Sequence, residues 1–188
     1  MKTIVVLVVL FLTGPACVPW TAVPIEDDAP TASPASDPKA YVKSIWESQL
    51  LPVAAGGADI SDERPAIGTP ALVTGRAVVI RHDTSSRSGR LLVDLEPVDG
   101  EADAAVLTGP VILGTALRDA SGFIEFTDFT NQLVFADVAN ELNQRVLDTV
   151  IAPLDLTALP GKTLLFRGAW LKSGDAMAEI VPVNLEVE

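Results

Sequence analysis

TNQLVFADVANELNQRVLDTVIAPL, Thr130 to Leu154, decides how the rest of the chain is read. Phe135, Ala139, Leu142, Val146 and Val150 recur three or four residues apart, the spacing of one face of an α-helix. Asp128 or Thr130 can cap its start, and Pro153 ends it. On either side the apolar period shortens to that of strands. Before the helix, "ALVTGRAVVIRH", "LLVDLEP", "VLTGPVILGT" and "GFIEFTDF" are rich in β-forming residues, and the third is interrupted by Gly109-Pro110. In "LLVDLEP", Leu91, Val93 and Leu95 alternate against Leu92, Asp94 and Glu96, as in a half-buried strand. After the helix, "GKTLLFRGAWLKSGDAMAEIVPVNLEVE" reads as a hairpin whose second strand alternates Val181, Val183, Leu185 and Val187.

An earlier helix is expected over "PKAYVKSIWESQLLP". Ser36 or Asp37 caps it, Pro38 takes its first position, and Pro52 stops it. Residues 54–70 read as loop. The order is therefore a helix, three or four strands, one long helix and two strands. We expect a mainly β protein with helices (α+β): a small, partly open β-barrel of oligonucleotide/oligosaccharide-binding (OB) type, with one long helix and an N-terminal helix. An open antiparallel sheet with the helix packed across it is the alternative.

The first residues are an address. "MKTIVVLVVLFLTGPAC" has a positive end, an apolar run from Ile4 to Leu12 that is too short to span a bilayer, and then small residues. Gly14 and Ala16 precede Cys17, the only cysteine, so residues 1–16 read as a signal peptide and Cys17 as a lipidation site. Residues 17–38 carry the anchor cysteine and a tether with Pro19, Pro24, Pro30, Pro34 and Pro38, which deny helix and sheet alike. At about 3.1 Å per residue such a tether reaches roughly 60 Å. Residues 39–188 are expected to form one globular domain in the periplasm, held at the membrane.

The chain of 188 residues has 13 basic and 25 acidic side chains, a net charge of −12. The first sixteen residues hold one charged side chain, Lys2, so 12 basic and 25 acidic groups remain after cleavage, a net −13. Such a surface repels nucleic acid, and no nucleic-acid partner is expected.

His82 is the only histidine and reads as a solvated turn residue, so no serine or cysteine triad can be assembled. Zinc needs clustered Cys and His, calcium a loop of alternating Asp and Asn, and phosphate cradles a Gly-rich turn before a helix; none is present. Neither metal nor cofactor is expected. Asp119, Glu125 and Asp128 leave a carboxylate-dependent hydrolase as the least favoured reading, and the protein is expected not to be an enzyme. The one polar concentration is "GTALRDASGFIEFTDFTNQ". Its bland reading is a structural ion pair and a helix cap. Its sharper reading is a ligand site at one rim of the barrel, formed by Thr115, Arg118, Asp119, Asp128, Asn131 and Gln132, with Phe126 and Phe129 as an apolar face.

"RSGRLLVDL", "GPVILGTALRDASGFIEFTDFTNQLVFADVANELN", "LPGK…FRGAW" and "IVPVNLEV" together resemble a family of predicted periplasmic lipoproteins, domain of unknown function 2291. The matching positions include Arg87, Gly89, Gly109, Pro110, Gly114, Thr115, Arg118, Asp119, Asp128, Phe129, Asn131 and Gln132. The chain departs from the family in a shorter segment over residues 54–70 and in Gly14, where a branched apolar residue is usual. The resemblance implies an envelope protein associated with carbohydrate ABC-transporter systems, and it supplies no activity. We therefore expect a lipid-anchored binding or accessory module whose partners are the membrane and a transporter component or small polar ligand. The alternative is a structural or assembly lipoprotein that docks on a membrane complex.

Overall fold

The computed structural model describes residues 36–188; the expected signal peptide, Cys17 and nearly all of the tether lie outside the described residues. Asp37 caps the first helix, its Oδ1 accepting from the amides of Lys39 and Ala40 at 3.0 and 3.1 Å. Helix α1 spans Pro38–Ile45. Pro52 does not stop it. The chain continues through a wider π turn, Trp46–Leu50, into α2, Leu51–Ala55. In that turn the Leu51 amide donates five residues back to the Trp46 carbonyl, and the wider ring makes room for Pro52 where an α-turn would clash.

Six strands follow: β1 (Ala58–Asp59), β2 (Ala71–Asp83), β3 (Arg90–Leu95), β4 (Ala104–Leu107), β5 (Thr163–Leu171) and β6 (Ala178–Val187). The sheet order is β1-β2-β3-β4-β6-β5, and β2 also pairs with β5. Strands β2 to β6 therefore close into a five-stranded barrel, tighter than the partly open one expected. The long β2 makes closure possible. Its Ala77–Asp83 half pairs with β3, while Ala71–Val78 pairs with β5. Strand β1 adds in parallel at Val73 and Thr74, where β3 no longer runs.

Two expected strands are corrected. Of "VLTGPVILGT" only the start belongs to β4. Gly109 takes φ 76°, where an added Cβ would meet Leu147, and Pro110 has no N–H for a ladder, so the chain leaves the sheet. "GFIEFTDF" forms no strand. Ala116–Ser121 is a helix, α3, ended by Gly122 at φ 73°, and Phe126–Asp128 is a 3-10 turn. Helix α4 spans Gln132–Val146 and continues as a π turn, Leu147–Ile151, close to the expected extent. Its cap is Asn131 rather than Asp128 or Thr130: Asn131 Oδ1 accepts from the Leu133 and Val134 amides at 2.9 and 3.0 Å. The C-terminal hairpin is β5 and β6.

Two apolar cores result. The barrel interior is filled by Val73, Val79, Leu91, Val93, Leu95, Leu164, Phe166, Trp170 and Ile180, among others. The second core lies between the helices and the outer side of β5 and β6. Val42, Ile45 and Trp46 there meet Leu117 of α3, Val138, Leu142 and Val146 of α4, and Ala169, Val181 and Val183 of the barrel. Each fully buried aliphatic side chain contributes about 1.5–3 kcal/mol. Strand β3 is not half-buried as expected. Leu92 and Asp94, which point away from the barrel interior, are 7% and 0% exposed.

Candidate functional site

Thr115, Arg118 and Asp119 come together on α3. The segment Ala116–Ser121 is helical, so Thr115 and Asp119 stand one turn apart. Thr115 Oγ1 donates to Asp119 Oδ2 at 2.6 Å. The other carboxylate oxygen receives Arg118 Nε at 2.8 Å and Nη2 at 2.7 Å. The third guanidinium nitrogen, Nη1, donates to the Phe135 carbonyl at 3.1 Å, and the guanidinium carbon lies 3.7 Å from the centre of the Phe135 ring. The Arg118 side chain is 10% exposed and that of Asp119 38%. The pair is thus wet on its carboxylate side and dry on its guanidinium side.

Around Phe135 stands an aromatic cluster. Phe129 and Phe126 have their ring centres 5.4 and 5.6 Å from it, and Tyr41 of α1 meets Phe129 edge-on at 5.3 Å. Burial, and then the charge of Asp128, hold the Tyr41 phenol above its usual pKa. Phe129 is buried and Phe126 half-exposed. They form the apolar face that the sequence pointed to, but it is packed against α1 and α4. Asp128 and Asn131 are spent on backbone: Asp128 Oδ2 accepts from the Glu125 amide at 3.3 Å, and Asn131 caps α4. Gln132 is exposed. The six expected residues therefore divide into an ion-pair network buried only at Arg118, two caps and one surface amide.

Two residues of this region were not singled out from the sequence. In the sequence Phe135 is one member of the apolar helical stripe. Asn143 sits buried on α4 and its Nδ2 donates to the carbonyls of Ile112 and Gly114 at 3.3 and 3.0 Å. It fixes the loop that delivers Thr115 to α3. An Asn on the buried side of an otherwise apolar helix stripe was the available signal.

The surface hollows lie elsewhere, along α4 and the π turn that prolongs it. One of about 170 Å³, between α1 and α4, is lined by Lys39, Lys43, Glu141, Gln144, Arg145 and Asp148, with Val42 at its floor. A second, of about 330 Å³, runs past Trp46, Leu51, Val150 and Leu154 to Asn184 of β6. A third, of about 200 Å³, is bounded by Pro110, Leu113, Asn140 and Leu147.

On the barrel, the outward side of β3 is closed. Asp94 accepts from the amides of Asp99 and Gly100 at 3.1 and 2.6 Å, so the 96–103 connection folds down onto it. Arg64 meets Asp103 at 3.0 Å beside it. His82, expected in a solvated turn, lies within β2, opposite Leu91, and is half-buried. Among the described residues no three of His, Cys, Asp and Glu stand close enough to hold a metal ion, and no helix is long and apolar enough to cross a membrane.

The model of a family described as predicted periplasmic lipoprotein (DUF2291) matches residues 67–186. No curated protein matches the chain. The chain is similar in structure to an OB-fold protein from Thermotoga maritima, with a TM-score of 0.61 and 18% identity. The likeness covers 81% of this chain and 98% of that one. At this identity it shows the fold alone.

Proposed function

The chain belongs to this predicted periplasmic lipoprotein family, and from that premise we propose that it is a non-enzymatic accessory module of the bacterial envelope, anchored through Cys17 and working through its helical layer. The observation that carries the reading is the burial of Leu92 and Asp94. OB barrels that hold oligonucleotides or oligosaccharides use the outer face of the second and third strands and the neighbouring loops. In this barrel those strands are β3 and β4, and at Asp94 that face is covered by the chain's own 96–103 connection. The three hollows described above border α4 and its π turn.

Catalysis finds little support in the same geometry. Glu141 and Asp148 line one hollow, but they are seven residues apart on one helical wall, about 10 Å along its axis, and do not face each other across a substrate. Gln144 Nε2 already donates to Asp148 at 2.8 Å. Carbohydrate ABC-transporter systems are the setting that the family resemblance implies for such a module. A sugar as its own ligand is disfavoured by chemistry, since Trp46, the one Trp lining these hollows, is 3% exposed and offers no open ring face.

The experiment is complementation of a deletion strain with chains whose melting temperature equals that of wild type. Leu113→Asp and Asn140→Lys alter the hollow that borders α4, while Lys172→Ala and Ser85→Ala alter barrel loops. Loss of function in the first pair alone is the expected result. Loss in the second pair alone would place the working surface on the barrel and refute the reading.

A further inference from the structure

The hollow between α1 and α4 has a charge pattern that the fold does not use. Lys39 and Lys43 are one turn apart on α1, so both side chains meet the same seam. Arg145 faces them from α4. Among the described residues none of the three has a carboxylate oxygen within ion-pair distance, whereas Arg64, Arg76 and Arg118 all do. The Nε of Arg145 is buried and has no acceptor. That atom is shielded by the protein itself, so a ligand's oxygens would meet the terminal guanidinium nitrogens instead. The guanidinium is held in place by Trp46, whose ring centre is 5.7 Å away. Glu141 and Asp148 stand about one turn to either side of Arg145, so along this wall of the hollow the cation lies between two carboxylates.

A simple anion would meet the carboxylates and a simple cation the lysines. A zwitterion with a phosphate beside an ammonium satisfies both. The volume, about 170 Å³, is below that of sites for drug-sized ligands and suits a single small group. We propose that this hollow binds a phosphoethanolamine group, its phosphate oxygens on Lys39, Lys43 and Arg145 and its ammonium toward Glu141 or Asp148. The same chemistry is offered by a soluble phosphoethanolamine ester and by a phosphatidylethanolamine headgroup. The choice of source rests on the anchored reading above. Only the 20 residues 18–37 separate Cys17 from α1, and a tether of that kind raises the local headgroup concentration to the millimolar range. A weak site is enough under those conditions.

The test uses the full chain with Cys17→Ser, so that the anchor does not mask the cleft. O-phosphoethanolamine, inorganic phosphate and ethanolamine are titrated by NMR. Vesicles of phosphatidylcholine with and without phosphatidylethanolamine are sedimented with the protein. We expect phosphoethanolamine to bind more tightly than either half alone. Lys39→Ala/Lys43→Ala, at exposed positions and so without effect on folding, should weaken it about tenfold or more. Glu141→Gln/Asp148→Asn should erase the preference over inorganic phosphate. Retention by the phosphatidylethanolamine vesicles alone identifies the membrane as source; binding in solution without retention identifies a soluble ester. Equal binding by the lysine variant, equal affinity for inorganic phosphate, or no binding would overturn the proposal. Membrane partition of the chain with Cys17 intact reports separately on the anchor.

Discussion

Truncating the two members of the Arg118–Asp119 pair should not cost the same. Arg118→Ala removes two short bonds to Asp119, one to the Phe135 carbonyl, and the stacking on the Phe135 ring. The carboxylate left behind is 38% exposed and keeps Thr115 Oγ1 at 2.6 Å, so water and the hydroxyl take over from the guanidinium. The lost charge-assisted bonds are then worth about 1–1.5 kcal/mol. The stacking adds about 0.5–1 kcal/mol, and the buried stem a further ~1 kcal/mol. The sum is about 2.5–3.5 kcal/mol. Asp119→Ala is the harsher change. It leaves a guanidinium at 10% exposure with one carbonyl and one ring for company. Depriving a buried charge of its counter-ion costs about 3–5 kcal/mol, and the remaining partners bring this toward the lower end. Asp119→Asn keeps an oxygen acceptor and should cost about 1–2 kcal/mol. The double alanine variant should cost less than the sum of the single ones by about 2 kcal/mol, since the second truncation finds no partner left to strand. Urea denaturation of the Cys17→Ser chain reads all four. An Arg118→Ala cost under about 1 kcal/mol would mean that the pair behaves as a solvated surface bridge. The desolvation argument would then be wrong.

Further expectations follow the same geometry. Asn143→Ala strands the Ile112 and Gly114 carbonyls that its amide serves, and should cost about 1–3 kcal/mol and speed amide exchange in α3; unchanged exchange would show that the loop does not depend on it. Asn131→Ala removes the α4 cap and should cost about 1 kcal/mol, with Asn131→Asp close to wild type. Tyr41 contributes stability that is complete below its usual pKa of 10.0 and is lost as pH rises through its raised value in the fold. Tyr41→Phe should therefore lower the melting temperature less steeply between about pH 9 and about pH 11, and an identical slope would exclude Tyr41 as the source. Cys17→Ser should move the protein from the membrane to the soluble fraction of a Gram-negative host, and equal partition of both forms would remove the anchor.

The parts of the fold legible in the sequence are those whose information is local. The 15 residues of α4 repeat their apolar stripe often enough to fix its type, and the C-terminal hairpin alternates over a full strand. Helix α3 has six residues, fewer than two turns, so "ALRDAS" carries no readable period and no element is expected there from the sequence. Closure of the barrel depends on β2 pairing with β5 across some 90 residues, which no pattern within either strand announces. Pro52 misled for a different reason: a proline ends an α-helix only if the turn before it stays α, and here that turn widens.

The candidate site shows why polar residues among apolar ones are an ambiguous sign. A polar group in such a setting is one the fold buries, and burial obliges the fold to supply partners. Ligand sites and structural networks therefore look alike in one dimension. What separates them is whether a bonding capacity is left over. Arg118 stood out in the sequence, and in the fold each of its three nitrogens has an acceptor: two take Asp119 and one takes Phe135, 17 residues away. With the side chain 10% exposed, little of it is within a ligand's reach. Arg145 carries no such signal in the sequence. In the fold it is brought beside Lys39 and Lys43, about 100 residues earlier, and among the described residues none of the three has a carboxylate oxygen within ion-pair distance. Unpaired cations lining a hollow, not the conspicuous pair, are where an external oxygen gains most. That ordering makes the α1/α4 seam a stronger place to look for a bound group than the segment whose polarity first drew attention.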